Sequence, residues 1–196
     1  MPNSLIIPSQ TINLARRSLL SRAGRATLSA AAVAILAGCE SMASSKMADA
    51  ADPAADIKIL NTALSAEYEA IAAYQVGAES GLLQPEVLTL AVTFQSQHKE
   101  HAGVLSSTIG KLGGTATGPK TKYELPVEKL KTQADVLAFA ASLEKGAVSA
   151  YLGAVALFAN RDLAKAAASI LGDEAMHWAV LRNALGDVPV PAAFVA

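Results

Sequence analysis

The segment Ser169-Ile-Leu-Gly-Asp-Glu-Ala-Met-His-Trp-Ala-Val-Leu181 carries a carboxylate and an imidazole three residues apart, Glu174 and His177. At helical spacing both fall on one stripe, Leu163, Ala167, Ile170, Glu174, His177 and Leu181, with steps of three and four. An acid and a base thus sit one turn apart on an otherwise apolar face. An ionised carboxylate buried there without a partner is costly, so something must compensate it. Glu-x-x-His on one face of a bundle helix is a known way to hold a dinuclear metal centre, provided other helices supply the remaining ligands.

Three further stretches place titratable groups in the same manner. A helix over about 56–79, with Asp56 as its cap and Gly81 past its end, has the stripe Leu60, Leu64, Glu67, Ile71, Tyr74, Ala78. Glu69 points to its solvent side. A second helix, about 85–112, starts at Pro85-Glu86 and stops at Gly113-Gly114. Its stripe is Val87, Ala91, Phe94, His98, His101, Leu105, Ile109, with Glu100 off it and solvated. From about Gln133 the period resumes as Leu137, Ala140, Glu144, Ala147, Tyr151, Ala154, Phe158, and Asn160-Arg161-Asp162 turns the chain into the fourth helix. All three histidines of the chain and a Glu from each of three helices therefore occupy core stripes. No Lys or Arg shares those stripes, so ordinary salt bridges do not compensate the acids. Either metal ions do, or the histidines and glutamates satisfy one another in a metal-free core.

The elements that must position these groups read as four helices. Hydrophobic residues make up 52% of the 196, led by Ala, and aromatics only 5%, which suits close-packed helices better than a sheet sandwich. Residues 113–131, rich in Gly, Thr, Lys and Pro, have no period and are long enough to cross the length of a bundle. After Gly186, Pro189 and Pro191 mark a tail that should lie extended over the surface. The formal charge of −1 conceals an asymmetry: residues 1–38 hold four Arg and no acid, leaving 12 basic against 17 acidic residues beyond them. A mildly acidic domain with scattered Lys argues against nucleic acid as a partner.

The N-terminus reads as an address. Arg16-Arg17-Ser18-Leu19-Leu20 resembles a twin-arginine export signal, and the Ala-rich stretch 26–37 after it is too short to span a bilayer with margin. Leu36-Ala37-Gly38-Cys39 resembles a bacterial lipoprotein box, in which the cysteine becomes the lipidated first residue of the mature chain. Cys39 is the only cysteine and forms no internal disulfide. The expected organisation is a signal over 1–39, a flexible tether over 40–55, a bundle over 56–188 and a C-terminal tail over 189–196. The expected location is the bacterial envelope, on its periplasmic side, with the membrane contacted only through an N-terminal lipid.

An internal repeat links the helices. Glu67-Tyr-Glu-Ala-Ile-Ala-Ala-Tyr74 aligns with Glu144-Lys-Gly-Ala-Val-Ser-Ala-Tyr151, and His98-Lys-Glu-His-Ala-Gly-Val-Leu105 with Glu174-Ala-Met-His-Trp-Ala-Val-Leu181. Two helix pairs at nearly one offset suggest a bundle of approximate twofold symmetry in which each half supplies half a site. This arrangement resembles the ferritin-like superfamily. Within it the chain looks most like bacterial secreted ferritin-like proteins related to plant desiccation-related proteins, over about Ile57 to Phe194.

The resemblance implies an all-α, ferritin-like up-down four-helix bundle with a long crossover between helices two and three. It implies Glu67 and Glu144 as terminal ligands, Glu174 as a bridge, and His101 and His177 as nitrogen ligands. Where the family pattern has a bridging carboxylate on helix two this chain has His98, a sixth ligand or a gate. Tyr74 and Tyr151, two turns beyond the terminal glutamates, are either hydrogen-bond donors to the site or core filling. Three carboxylates against two divalent ions leave a charge of about +1 where four would give neutrality. The donor set suits iron, as two ions or as one held well and a second poorly, with manganese or zinc as other options. The expected function is metal binding with oxidase- or peroxide-type reactivity, a ferroxidase-like chemistry if catalytic. The other reading is a non-catalytic metal-sequestering or stress-related structural protein. Monomer or homodimer is expected.

Overall fold

The computed structural model describes residues 53–195. Four helices form it: α1 (Pro53–Glu79), α2 (Pro85–Lys111), α3 (Gln133–Val155) and α4 (Arg161–Ala184), with one 3₁₀ turn at Val127–Lys129. The all-α four-helix bundle expected from the sequence is what forms. The export signal, Cys39 and the tether as far as residue 52 lie outside the described residues. Among the described residues no helix is long and apolar enough to cross a membrane.

α1 reaches back to Pro53, three residues into the stretch expected to be tether, because proline is tolerated in a first helical turn. Asp56 caps, but not its own helix. It is 2% exposed, and its two carboxylate oxygens accept from Ala159 N (2.9 Å) and Asn160 N (3.0 Å) in the α3–α4 turn. Asn160 in turn accepts from Asp162 N to cap α4. Asp56→Ala should therefore cost about 1–3 kcal/mol, measurable as a lower urea midpoint, since it strips two backbone donors of their acceptor.

α1 and α2 form one antiparallel hairpin and α3 and α4 the other, with α1 also packed on α3. The chain leaves α2 through Gly113, whose φ of +81° favours glycine, and Gly114, where a Cβ would lie 2.8 Å from the Ile57 side chain. The end of α2 is thus pressed against the start of α1. Asn61 fixes the departing chain by donating to Thr115 O and accepting from Thr117 N. At the far end of the crossover the Gln133 side chain accepts from Gln84 N, just before α2. The connection therefore runs the length of the bundle, and α3 lies antiparallel to α1. A capping box between Thr132 and Asp135 starts α3.

The predicted stripes are the buried faces, with small rotations. On α4 all six predicted residues are buried; on α3 Val148 is fully buried and Ala147 only half, and on α1 Ile71, Ala78 and also Glu69 are half-buried. The apolar core falls into two clusters. One surrounds Leu60, Leu64, Leu105, Ile109 and Ile170; the other surrounds Tyr74, Phe94, Leu137 and Leu181. Between them lies a polar layer.

Candidate metal centre

That layer consists of Glu67 from α1, His98 and His101 from α2, Glu144 from α3, and Glu174 and His177 from α4. Each helix continues for more than a turn on both sides of its polar residues, so the layer is held at mid-bundle by apolar packing above and below. Five of the six are at most 3% exposed, and His101 is 14% exposed at its side chain.

The six converge. His98 directs Nδ1 at Glu67 Oε2 (2.8 Å) and Glu174 Oε1 (3.6 Å), and Nε2 at Glu144 Oε1 (3.3 Å). His101 Nδ1 lies 3.1 Å from Glu174 Oε1 and 3.6 Å from Glu67 Oε2. His177 Nδ1 lies 3.5 Å from Glu144 Oε1 and 3.6 Å from Glu174 Oε2. Two overlapping sets of four donors result: Glu67, His98, His101, Glu174 and His98, Glu144, Glu174, His177. Glu174 and His98 belong to both. The two sets are related by the internal repeat, and His98 breaks that relation because it occupies the position equivalent to Glu174.

The repeat also explains the tyrosines. Tyr151 OH donates to Glu67 Oε1 at 2.6 Å, and Tyr74 OH donates to Glu144 Oε1. Each tyrosine follows the glutamate of its own helix by seven residues and reaches the glutamate of the other, because α1 and α3 run in opposite directions. Both hydroxyls are held protonated: burial raises their pKa first, and the facing carboxylates raise it further.

Two residues that the sequence did not single out, and one from the predicted stripe, complete the setting. Asp173 Oδ2 lies 3.3 Å from His101 Nε2 and 3.4 Å from His177 Nε2, the outward nitrogens of both rings. Gln97 Oε1 lies 2.8 Å from His177 Nε2, and Phe94 stacks on the His177 ring at 4.0 Å. Phe94 was already on the predicted stripe. The signal for Asp173 was its place four residues before His177, which puts the two on one helix face. A carboxylate on the outer nitrogen keeps that nitrogen protonated and leaves Nδ1 free to face inward as a ligand.

The electrostatics of the cluster without metal follow from these contacts. Burial alone would lower the histidine pKa values. Attraction to the facing carboxylates outweighs it, raising His98 to about 10 through Glu144 and Glu67, His101 to about 9 through Glu174 and Glu67, and His177 to about 9 through Glu144 and Glu174. Burial likewise opposes ionisation of Glu67 and Glu144, but their histidine partners pull both below the ordinary carboxylate value. At neutral pH the metal-free cluster thus sets three imidazolium ions against the carboxylates of Glu67 and Glu144. A histidine whose pKa is raised on folding contributes stability fully below about pH 6.5, its unfolded value, and loses it as pH rises through the folded value. Metal-free protein should therefore melt progressively lower between pH 6.5 and 10, checked by thermal scans in chelator. Metal-loaded protein should not, because its imidazoles are already neutral.

The donors present fit a metal. Five buried polar atoms in the layer have no hydrogen-bond partner: His101 Nδ1, His177 Nδ1, Glu144 Oε2 and both oxygens of Glu174. Buried polar atoms that lack a hydrogen bond are rare and call for a ligand. These five all belong to the six converging residues, and mixed nitrogen and carboxylate donors suit iron, manganese or zinc.

Comparison with known proteins agrees. No curated protein matches the chain. Among solved structures, a conserved hypothetical protein from Mycobacterium tuberculosis is similar at a TM-score of 0.63 and 26% identity, over 72% of this chain and 97% of that one. Ferritin-like, diiron-carboxylate proteins from Bacillus anthracis are similar at 0.58 and 26%, over 68% and 97%. The profile of the ferritin-like domain matches residues 55–187. With its bundle, its crossover and its buried Glu/His layer, the chain belongs to the ferritin-like domain family.

Proposed function

We propose that this protein binds iron, two ions per chain, between its four helices and reacts it with dioxygen or peroxide, in the cell envelope. The observation that carries the reading is Glu174: 0% exposed, a member of both donor sets, and with neither oxygen hydrogen-bonded. Glu67 and His101 would hold one ion and Glu144 and His177 the other, with Glu174 shared. A neutral imidazole has one free lone pair, so His98 would serve one half and donate its remaining N–H to a carboxylate of the other. Iron bound there supplies one-electron redox chemistry, and a pair supplies two electrons at once. The chain's own contribution is orientation and exclusion of water. Tyr74 and Tyr151 fix the terminal carboxylates, Asp173 and Phe94 fix the imidazoles, and the two apolar clusters seal the layer from either end.

The test is aerobic addition of Fe(II) to purified protein, followed by absorbance. Oxidation faster than in buffer, and no faster than buffer for Glu174→Ala, is the expected outcome; equal rates with and without wild-type protein overturn it. A second reading rests on the pairing of the three histidines with the facing glutamates, which lets the layer stand without metal. It makes the protein a metal-sequestering or stress-related structural one, and iron that binds without faster oxidation would favour it. The envelope assignment rests on the sequence of residues 1–39. Radiolabelled palmitate should enter the full-length chain and not Cys39→Ala.

A further inference from the structure

Charge is distributed unevenly along the bundle axis. The start of α1, the end of α2 and the α3–α4 turn share one end, where Asp56 accepts from Ala159 N and Asn160 N and Gly114 lies against Ile57. Within two turns of this end the helices carry Lys58, Lys111, Arg161 and Lys165, all exposed and none in an ion pair among the described residues. The exposed acid among them is Asp162 alone. The opposite ends of the same helices carry Glu79, Glu86 and Asp135, with Arg182 as their one base, itself paired with Asp187. Leu157, in the turn at the basic end, is 69% exposed beside the buried Phe158. Cations without counter-charges around an exposed leucine match a surface that presents anionic headgroups over an apolar layer.

We infer that this end of the bundle docks on the anionic phospholipid headgroups of the membrane that anchors the chain, with Leu157 at their level. The inference rests on the reading of Cys39 as lipidated and says which way the anchored bundle faces. Pro53, where α1 begins, lies at the basic end, and the thirteen residues 40–52 separate it from Cys39. Those residues reach at most ~45 Å. α1, with 27 residues, is itself ~40 Å long. A lipid at Cys39 thus holds the basic end near the bilayer, whereas the acidic end could meet it only with the connecting chain doubled back at almost full stretch. Tethering also raises the local concentration of headgroups, so that a small patch suffices. Each Lys or Arg near an anionic surface tightens its binding roughly fivefold, and salt screens that gain.

The test uses the lipidated chain, in which Cys39, the only cysteine, is capped and Leu157→Cys supplies the sole free thiol. That thiol is labelled with the polarity-sensitive fluorophore NBD. In vesicles containing phosphatidylglycerol the label should be several-fold brighter than in pure phosphatidylcholine, and nitroxide-bearing lipid should quench it. The same label at Glu86→Cys, at the acidic end, should do neither. Lys58→Gln, Lys111→Gln and Lys165→Gln together should weaken docking ~100-fold and return the Leu157 label to its phosphatidylcholine brightness. Salt at about 0.5 M should do the same. All these positions are exposed, so helical circular dichroism should not change. If palmitate enters the chain but the Leu157 label is equally bright on both vesicles, or the Glu86 label is quenched as strongly, the docking is overturned and the anchor stands. A chain that takes up no palmitate overturns the anchor and the docking together.

Discussion

Replacing Glu174 with alanine should empty both halves of the centre at once. Glu174 is common to the two donor sets, so no other single glutamate substitution reaches both. Wild-type protein should bind two ions per chain, and the variant none. Binding to the folded state stabilises it by roughly 2.7 kcal/mol per site at a free metal concentration of 100 Kd. The wild-type melting temperature should thus climb steeply with added Fe(II) or Mn(II), and the variant's should not move. The helical circular dichroism of the variant should be unchanged, because the two apolar clusters on either side of the layer are intact. A variant that keeps one ion would show that the halves do not share this carboxylate.

The second large effect is predicted for His98→Glu, which restores the carboxylate that the repeat would place there. His98 is 1% exposed, so the substitution changes a buried charge. Without metal, a carboxylate then stands where an imidazolium stood, a change of −2 in the charge of a buried layer. Uncompensated buried charge costs about 3–5 kcal/mol, so the metal-free variant should melt ~10 °C or more below wild type. With two divalent ions the balance reverses, since four carboxylates neutralise what three leave at about +1. The second ion should then be held ~10-fold or more tightly, a modest part of the Coulomb energy available at such distances. The gap between metal-free and metal-loaded melting temperatures should widen at both ends. A metal-free variant as stable as wild type would show that His98 does not balance the glutamates as an imidazolium.

Much of this architecture could be read from residue spacing. All six residues of the stripe from Leu163 to Leu181 are buried, joined on α4 only by Ala164, because strong apolar residues at steps of three and four leave one helix face little choice. In Ala-rich α3 the signal is weaker, and Val148 rather than Ala147 turns fully inward. Spacing identifies a face but not the partner across from it. The crossing of Tyr74 to Glu144 and Tyr151 to Glu67 depends on α1 and α3 being antiparallel neighbours, which only the tertiary arrangement supplies. Asp56 escaped for the same reason: its acceptor role is spent on a turn about a hundred residues away. Asp173 was hidden by its neighbour, since adjacent helical residues diverge by about 100° and the stripe ran through Glu174.

The most direct measurement is metal content per chain, by elemental analysis, of the full-length protein as isolated and after anaerobic loading with Fe(II) and removal of excess. Two ions per chain are expected after loading and none in Glu174→Ala, with a melting temperature that falls when chelator strips the metal. Wild-type protein that takes up no Fe(II), Mn(II) or Zn(II), and melts at the same temperature with chelator as without, would contradict it.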